Sequence, residues 1–305
     1  MNIDWIILFG IVISCLAIDL GVFHKESHEV KFKEALIWSL VWVSLALLFS
    51  LGIGLEHSSE HAMLFLTGYV VEKSLSVDNL FLFIVIFKYF SIEPKYQHRI
   101  LFWGVLGAIV TRGMLIYAGV SLLHSFSWLI YVFGAIILVT GLKTLWGFKD
   151  SIDLESNVVL KLVKKIMRTK MDYVGPNFLI REGGLLYATP LLVVLIVVEL
   201  TDVLFALDSI PAILGITQDS FIVYSSNLFA ILGLRALYFL LSGIMELFEY
   251  VTYGVSCILI FVGLKMLTEG FIEISPFLSL VIIISILIAS IVPSIPRVLQ
   301  DRKVD

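Results

Sequence analysis

FSWLIYVFGAIILVTGLKTL at 126–145 returns, without a gap, as FEYVTYGVSCILIFVGLKML at 248–267. The two stretches share Phe126/Phe248, Tyr131/Tyr253, Gly141/Gly263, Leu142/Leu264, Lys143/Lys265 and Leu145/Leu267. Just upstream, Arg112 in VTRGMLIY corresponds to Arg235 in LGLRALY. Further back, Glu72 and Asp78 lie six residues apart, as do Asp202 and Asp208. Shared apolar composition alone does not align lysines, arginines and paired acids in this order.

The chain around these segments is 305 residues long, 59% hydrophobic and 15% charged, with a mean hydropathy of +1.02. A membrane-spanning helix needs about 20 apolar residues to cross a hydrocarbon core of about 30 Å. Nine windows meet that need: 4–22, 34–55, 62–90, 100–122, 126–147, 186–215, 221–244, 248–269 and 276–296. The expected class is an all-α polytopic membrane protein of about nine transmembrane helices. The first window is read as a span, because MNIDW has no basic residue and no small-x-small cleavage pattern follows. Cys15 and Cys257 both fall inside spans, where they read as ordinary core residues rather than a disulfide or thiolate set.

The correspondences make spans 3–5 and 6–8 two copies of one unit. Three spans per unit is an odd number, so the second copy lies upside down relative to the first. The chain then divides into two N-terminal spans (1–61), a first three-helix unit (62–147), a basic cytoplasmic loop (148–185), a second, inverted unit (186–270), and a last span with its tail (271–305). Inverted repeats are a signature of secondary transporters, whose substrate site lies near the midplane between the copies.

Orientation follows from the positive residues. Lys25, Lys31, Lys33, Lys88, Lys95 and Arg99, the seven Lys and Arg of 148–185, and Arg297, Arg302 and Lys303 all fall on one side. The opposite loops carry none, which puts the N-terminus outside and the C-terminus in the cytoplasm. The stretch LESNVVLKLVKKIMRTKM in the long loop reads as a linker that pins this topology.

Six acids lie within spans: Asp19, Glu72, Asp78, Glu199, Asp202 and Asp208. Each costs at least about 2.5 kcal/mol at the bilayer centre, so they must face a cavity, a cation or basic partners. Arg112 and Arg235 are deep enough to pair with them as fixed counter-ions, whereas Lys143 and Lys265 sit near span ends and snorkel outward. Residues six apart point about 240° from each other on a helix, so one continuous helix cannot aim both at one ligand. With Pro211 three residues past Asp208, this spacing leads us to expect discontinuous helices in spans 3 and 6.

The ligands on offer are oxygens: the carboxylates, the amides of Asn79 and Asn227, and the hydroxyls of Ser76 and Ser209. That set suits Mg²⁺, Ca²⁺ or Mn²⁺ rather than copper or structural zinc. EHSSEH at 56–61 adds Glu56, His57, Glu60 and His61 near the outer mouth, where a solvated loop is the expectation. No GxxxxGK[ST] loop is present, so a transporter would draw on an ion gradient rather than on a nucleotide.

EKSLSVDNLF, FWGVLGAIVTRG, VELTDVLFALDSIPA and SSNLFAILGLRALYFLL, in this order, closely resemble the TerC/Alx family of bacterial membrane proteins, and AIDLGVFHK fits the same pattern. The resemblance runs through nearly the whole chain outside 148–185 and the termini. It implies a LysE-superfamily type of fold in the bacterial inner membrane and a part in metal homeostasis, chiefly Mn²⁺ export. The implied metal residues are Glu72, Asp78, Glu199, Asp202 and Asp208, with Asn79 and Ser209; Arg112 and Arg235 are charge partners, and Asp19 and Asn227 accessory. The family takes its name from tellurium-resistance operons, and some members are labelled redox modulators. The function expected is secondary active export of Mn²⁺, with the metal as substrate and no cofactor, by a protein that is not an enzyme. Its partners are the metal ion and the lipid bilayer, a homo-oligomer is compatible, and no nucleic acid is involved. The alternatives are export of another divalent cation or small cationic solute, an intramembrane aspartyl hydrolase built on Asp78 and Asp208, and a non-transporting membrane partner in tellurium resistance.

Overall fold

The computed structural model describes residues 2–21, 32–146, 177–182, 185–242, 251–268, 271–272 and 274–292. Among these, helices follow in the order α1 (Asn2–Gly21), α2 (Phe32–Glu56), α3 (Ser59–Tyr89), α4 (Pro94–Ser125) and α5 (Leu129–Leu145). Then come a short hairpin, β1 (Leu179–Glu182) and β2 (Leu185–Ala188), and helices α6 (Pro190–Leu214), α7 (Ser220–Leu232), α8 (Leu234–Ser242), α9 (Val251–Leu267) and α10 (Pro276–Ile291).

Every one of the nine apolar windows contains helix, and the helix starts are written in the sequence. Ser58 caps α3 by accepting from the His61 amide, Asp219 caps α7 by accepting from Phe221 and Ile222, and Ser275 caps α10 with Pro276 in its first turn. These side chains satisfy amides that have no partner within the first turn. By length and hydropathy α2, α4 and α6 are each able to cross a membrane, and α7 with α8 makes a fourth such segment. Helices α1, α5, α9 and α10 have shorter apolar stretches, and α3, at 31 residues, carries the charges. Large apolar side chains face outward as well as inward, among them Leu55, Met114, Tyr117 and Leu204. An all-round apolar helix of this kind belongs in a medium no more polar than its core.

The expected discontinuities are not where the spacing put them. Helices α3 and α6 are continuous, and Pro211 lies inside α6. Pro211 removes one donor only a few residues from the helix end, and the buried run Ser209–Leu214 holds that last turn by packing. The break falls instead at Gly233, where α7 and α8 meet at 42°. A β-carbon on Gly233 would lie 2.6 Å from Lys73 Nζ and 3.2 Å from Trp42 Cβ, so the glycine is there for space. Lys73 Nζ donates to the Ala230 carbonyl at 3.1 Å, covering an acceptor at the broken end of α7.

Two further differences are small. Strand β2 occupies 185–188, so α6 begins at Pro190 rather than at 186, and the two four-residue strands add a little sheet to an otherwise helical set of described residues. Cys15 is half-buried and Cys257 exposed, so Cys257 is no core residue. An apolar thiol facing lipid needs no core around it. Most of the loop 148–185 lies outside the described residues.

The helices assemble around one large apolar core that runs from α3 through α4, α6 and α9, with a second cluster where α1 and α2 meet α3 and α7. Helix α5 packs along α9, α4 along α6, and α3 along α7. The α5–α9 approach is close enough that a β-carbon on Gly263 would sit 2.7 Å from the Leu138 amide nitrogen. Small residues are what allow two backbones to meet like this without a hydrophobic drive from water.

Candidate functional site

Arg112, on α4, is among the largest fully buried side chains of the protein. Its Nε donates to Asp202 Oδ2 at 3.1 Å and its Nη2 to Asp202 Oδ1 at 2.9 Å, a two-pronged grip on one carboxylate. Its Nη1 pairs with Glu72 Oε1. The same nitrogen lies 3.5 Å from both Ser209 Oγ and Asn227 Oδ1. Glu72 comes from α3, Asp202 and Ser209 from α6 and Asn227 from α7, so four helices converge on one guanidinium. All five side chains are buried.

Two acids and one base leave an excess of one negative charge in this cluster when all are ionised. Glu72 Oε2 and Asn227 Nδ2 have no hydrogen-bond partner among the described residues, although both are buried. A carboxylate oxygen without a partner in such a place is costly, and it is an open ligand position.

Glu199 is half-buried one turn before Asp202, and its carboxyl lies where a β-carbon of Gly107 would be. The FWGVLGAIVTRG segment thus makes room for this acid as well as supplying Arg112. Arg235 is buried at the start of α8 and lines the same narrow cleft as Glu199 and Asp202.

Asp208 is turned away from this group, as its spacing from Asp202 requires. It lines a separate cavity of about 120 Å³ with Ser209, Asn79, Thr140 and Thr144. The Thr140 hydroxyl is hydrogen-bonded to Asp208. Ser209 borders both the cavity and Arg112, so the two polar groups are neighbours.

Of the sequence-predicted residues, Glu72, Asp202, Ser209 and Asn227 therefore meet at Arg112, Glu199 and Arg235 lie beside them, and Asn79 and Asp208 line the cavity. Asp19 and Asp78 fall on α1 and α3, but their side chains lie outside the described residues. Thr140 and Thr144 were not anticipated. Their signal was two hydroxyls one turn apart on an apolar helix, at positions where the matching segment has Val262 and Met266.

At one end of the bundle, Asp4, Glu56 and His57 offer ligand atoms that all lie within 4.8 Å of one another, with His57 Nε2 3.7 Å from Asp4 Oδ1. Asp4 and His57 border a wide cavity of about 1,080 Å³, also lined by His61, His124 and Asp219, and Glu56 joins them in lining a smaller one of about 320 Å³. The EHSSEH run is solvent-facing as expected, but Asp4 joins it from α1.

A family model described as the integral membrane protein TerC family matches residues 57–303. An uncharacterized membrane protein of Myxococcus xanthus is 48% identical over 291 residues, covering 95% of this chain and 91% of its own length. A Salmonella typhi protein, Alx, named on a provisional footing as a membrane-bound redox modulator, is 45% identical, covering 92% of this chain and 90% of its own length. Its Escherichia coli K12 namesake is 44% identical, with 93% and 92% covered. No solved structure matches.

Proposed function

The chain belongs to the TerC family of integral membrane proteins, and from that premise we propose that it is a secondary active transporter, not an enzyme, that exports a divalent cation, Mn²⁺ foremost, across the bacterial inner membrane. The observation that carries this reading is the buried Glu72–Arg112–Asp202 cluster, with its excess negative charge and an unpartnered Glu72 oxygen. Intramembrane carboxylates gathered around an internal cation are costly, and they mark ion pathways.

Three features support it. The helix pairings α5 with α9, α4 with α6 and α3 with α7 are those a two-fold relation between inverted units would generate, third helix against third and first against second. The oxygen-only donors suit a hard cation. The Asp208 cavity, about 120 Å³, is smaller than the roughly 300–1,000 Å³ of pockets for organic ligands, which favours an inorganic ion over a cationic solute. The one-sided basic loops support an outside N-terminus. A redox role, such as the name of the Salmonella relative suggests, finds less support: the two cysteines, Cys15 on α1 and Cys257 on α9, lie on different helices and make no CxxC pair.

The test is total cell manganese in an exporter-deficient bacterial host challenged with Mn²⁺. Wild type lowers it; Glu72→Gln and Asp202→Asn, present in the membrane at wild-type amounts, do not. Unchanged manganese with correctly inserted wild type overturns the Mn²⁺ reading.

A further inference from the structure

The cavity beside Asp208 is built from α3, α5, α6 and α9. Its polar wall is one carboxylate, Asp208, one amide, Asn79, and the hydroxyls of Thr140, Thr144 and Ser209; the rest is apolar. What decides its preference is where the hydroxyl protons go. Thr144 Oγ1 donates to the Thr140 carbonyl at 2.9 Å. Thr140 is hydrogen-bonded to Asp208, and with a carboxylate as acceptor the proton is the threonine's. Both threonine oxygens have thus committed their hydrogens and are left with lone pairs. Ser209 Oγ in turn accepts from Arg112 at 3.5 Å. Asn79 is 6% exposed and has no side-chain hydrogen bond among the described residues, so its amide oxygen is free to turn inward.

The Asp208 carboxylate and the lone pairs of the two threonine oxygens, which the Asn79 carbonyl oxygen can join, make a chamber wall that suits a cation better than an anion. At about 120 Å³, against about 30 Å³ for a water molecule, it has room for one ion that keeps two or three waters. Mn²⁺, Mg²⁺ and Ca²⁺ take such mixed shells of carboxylate, amide, hydroxyl and water oxygens.

We propose that Asn79, Thr140, Thr144, Asp208 and Ser209 form a cation-holding chamber separate from the Arg112-filled acid cluster, and that the threonine pair on α5 sets its affinity for hard divalent cations. The proposal rests on the transport reading above and adds to it the α5 residues and a division of the polar residues into two adjoining sites. The Glu72–Asp202 pair is held by a tethered cation, Arg112, while the chamber is open to a mobile one. Ser209, bordering both, puts an ion in the chamber next to the guanidinium.

The test is equilibrium binding of Mn²⁺ to the purified full chain in nanodiscs, read by the loss of the free-ion electron paramagnetic resonance signal, with Mg²⁺ and Cd²⁺ as competitors. Thr140→Val/Thr144→Val keeps the volume and removes both hydroxyl ligands. It should weaken Mn²⁺ binding about tenfold or more, one charge-assisted contact being worth about that much. It should also shift competition toward the softer Cd²⁺. Thr140→Ser/Thr144→Ser should stay within about threefold of wild type, which separates ligation from packing. Wild-type affinity and selectivity in the Val double variant overturn the chamber while leaving transport standing, as does equal weakening in the Ser and Val variants. A wild type that binds no Mn²⁺ here yet lowers cell manganese also overturns the chamber alone. A wild type that does neither overturns both.

Discussion

Arg112 and Asp202 face each other across the α4–α6 interface with two near-parallel hydrogen bonds, 3.1 Å from Nε and 2.9 Å from Nη2. The second carboxylate on the same guanidinium comes from a third helix, α3. Removing the base would leave two buried acids without compensation, and breaking a buried pair in this way costs about 3–5 kcal/mol. Arg112→Gln should therefore lower the unfolding temperature of the detergent-solubilised protein markedly and abolish manganese export. Arg112→Lys keeps the charge but loses the fork, and should fall between the two.

If Asp202 and Arg112 act as a unit, their losses will not add. The double variant Arg112→Gln/Asp202→Asn should be less destabilised than the sum of its single changes, with a coupling of about 1–3 kcal/mol in a double-mutant cycle by thermal or denaturant unfolding. Strict additivity would mean that the pair observed here contributes nothing jointly.

Gly104 and Gly107 make a matched comparison on α4. A β-carbon at Gly104 meets only Val198 Cγ1 at 3.6 Å, whereas one at Gly107 collides with the Glu199 carboxyl. Gly104→Ala should leave export and stability close to wild type. Gly107→Ala should express and insert yet export less, because Glu199 must leave its place; parallel manganese measurements on the two variants check it.

The α5–α9 contact gives a purely structural prediction. A methyl on Gly263 would lie 2.7 Å from a backbone nitrogen, which cannot yield as a side-chain end can. Gly263→Ala should cost about 1–3 kcal/mol by overpacking. The readout is the midpoint of thermal unfolding.

At the broken helix, Lys73→Met would leave the Ala230 carbonyl without its donor at a cost of about 1–3 kcal/mol. Gly233→Ala would push the Lys73 ammonium off the same carbonyl from the other side. Both should therefore raise amide hydrogen exchange at the α7–α8 junction, and neither should do so at α10.

Hydropathy in the sequence is enough to place helix in each of the nine apolar windows, because a long apolar run has few other solutions in lipid. The pairing of Arg112 with carboxylates was likewise legible, since six intramembrane acids demand a counter-charge. The position of the helix break was not. Pro211 is the stronger local signal, yet a proline near a packed helix end costs one hydrogen bond, while Gly233 yields because Lys73 and Trp42 from other helices occupy its side-chain volume. No local pattern at Gly233 encodes the arrival of Lys73. The threonines of α5 escaped for a related reason. A hydroxyl on an apolar helix normally bonds its own backbone, as Thr144 does, and only the approach of α6 turns Thr140 toward Asp208. Asp4 joins Glu56 and His57 through the packing of α1 against α7, where Trp5 meets Phe221 and Tyr224, and nothing in EHSSEH foretells it.

Arg112 is fixed to α4 while the acids it joins belong to α3 and α6, so the guanidinium is also a rivet through the middle of the bundle. A mobile ion that took over either carboxylate would draw that rivet. Occupancy and the freedom of these helices to part would then be one thermodynamic variable: with Arg112 on both carboxylates the three helices stay fastened, and a cation or proton that displaced it would loosen them.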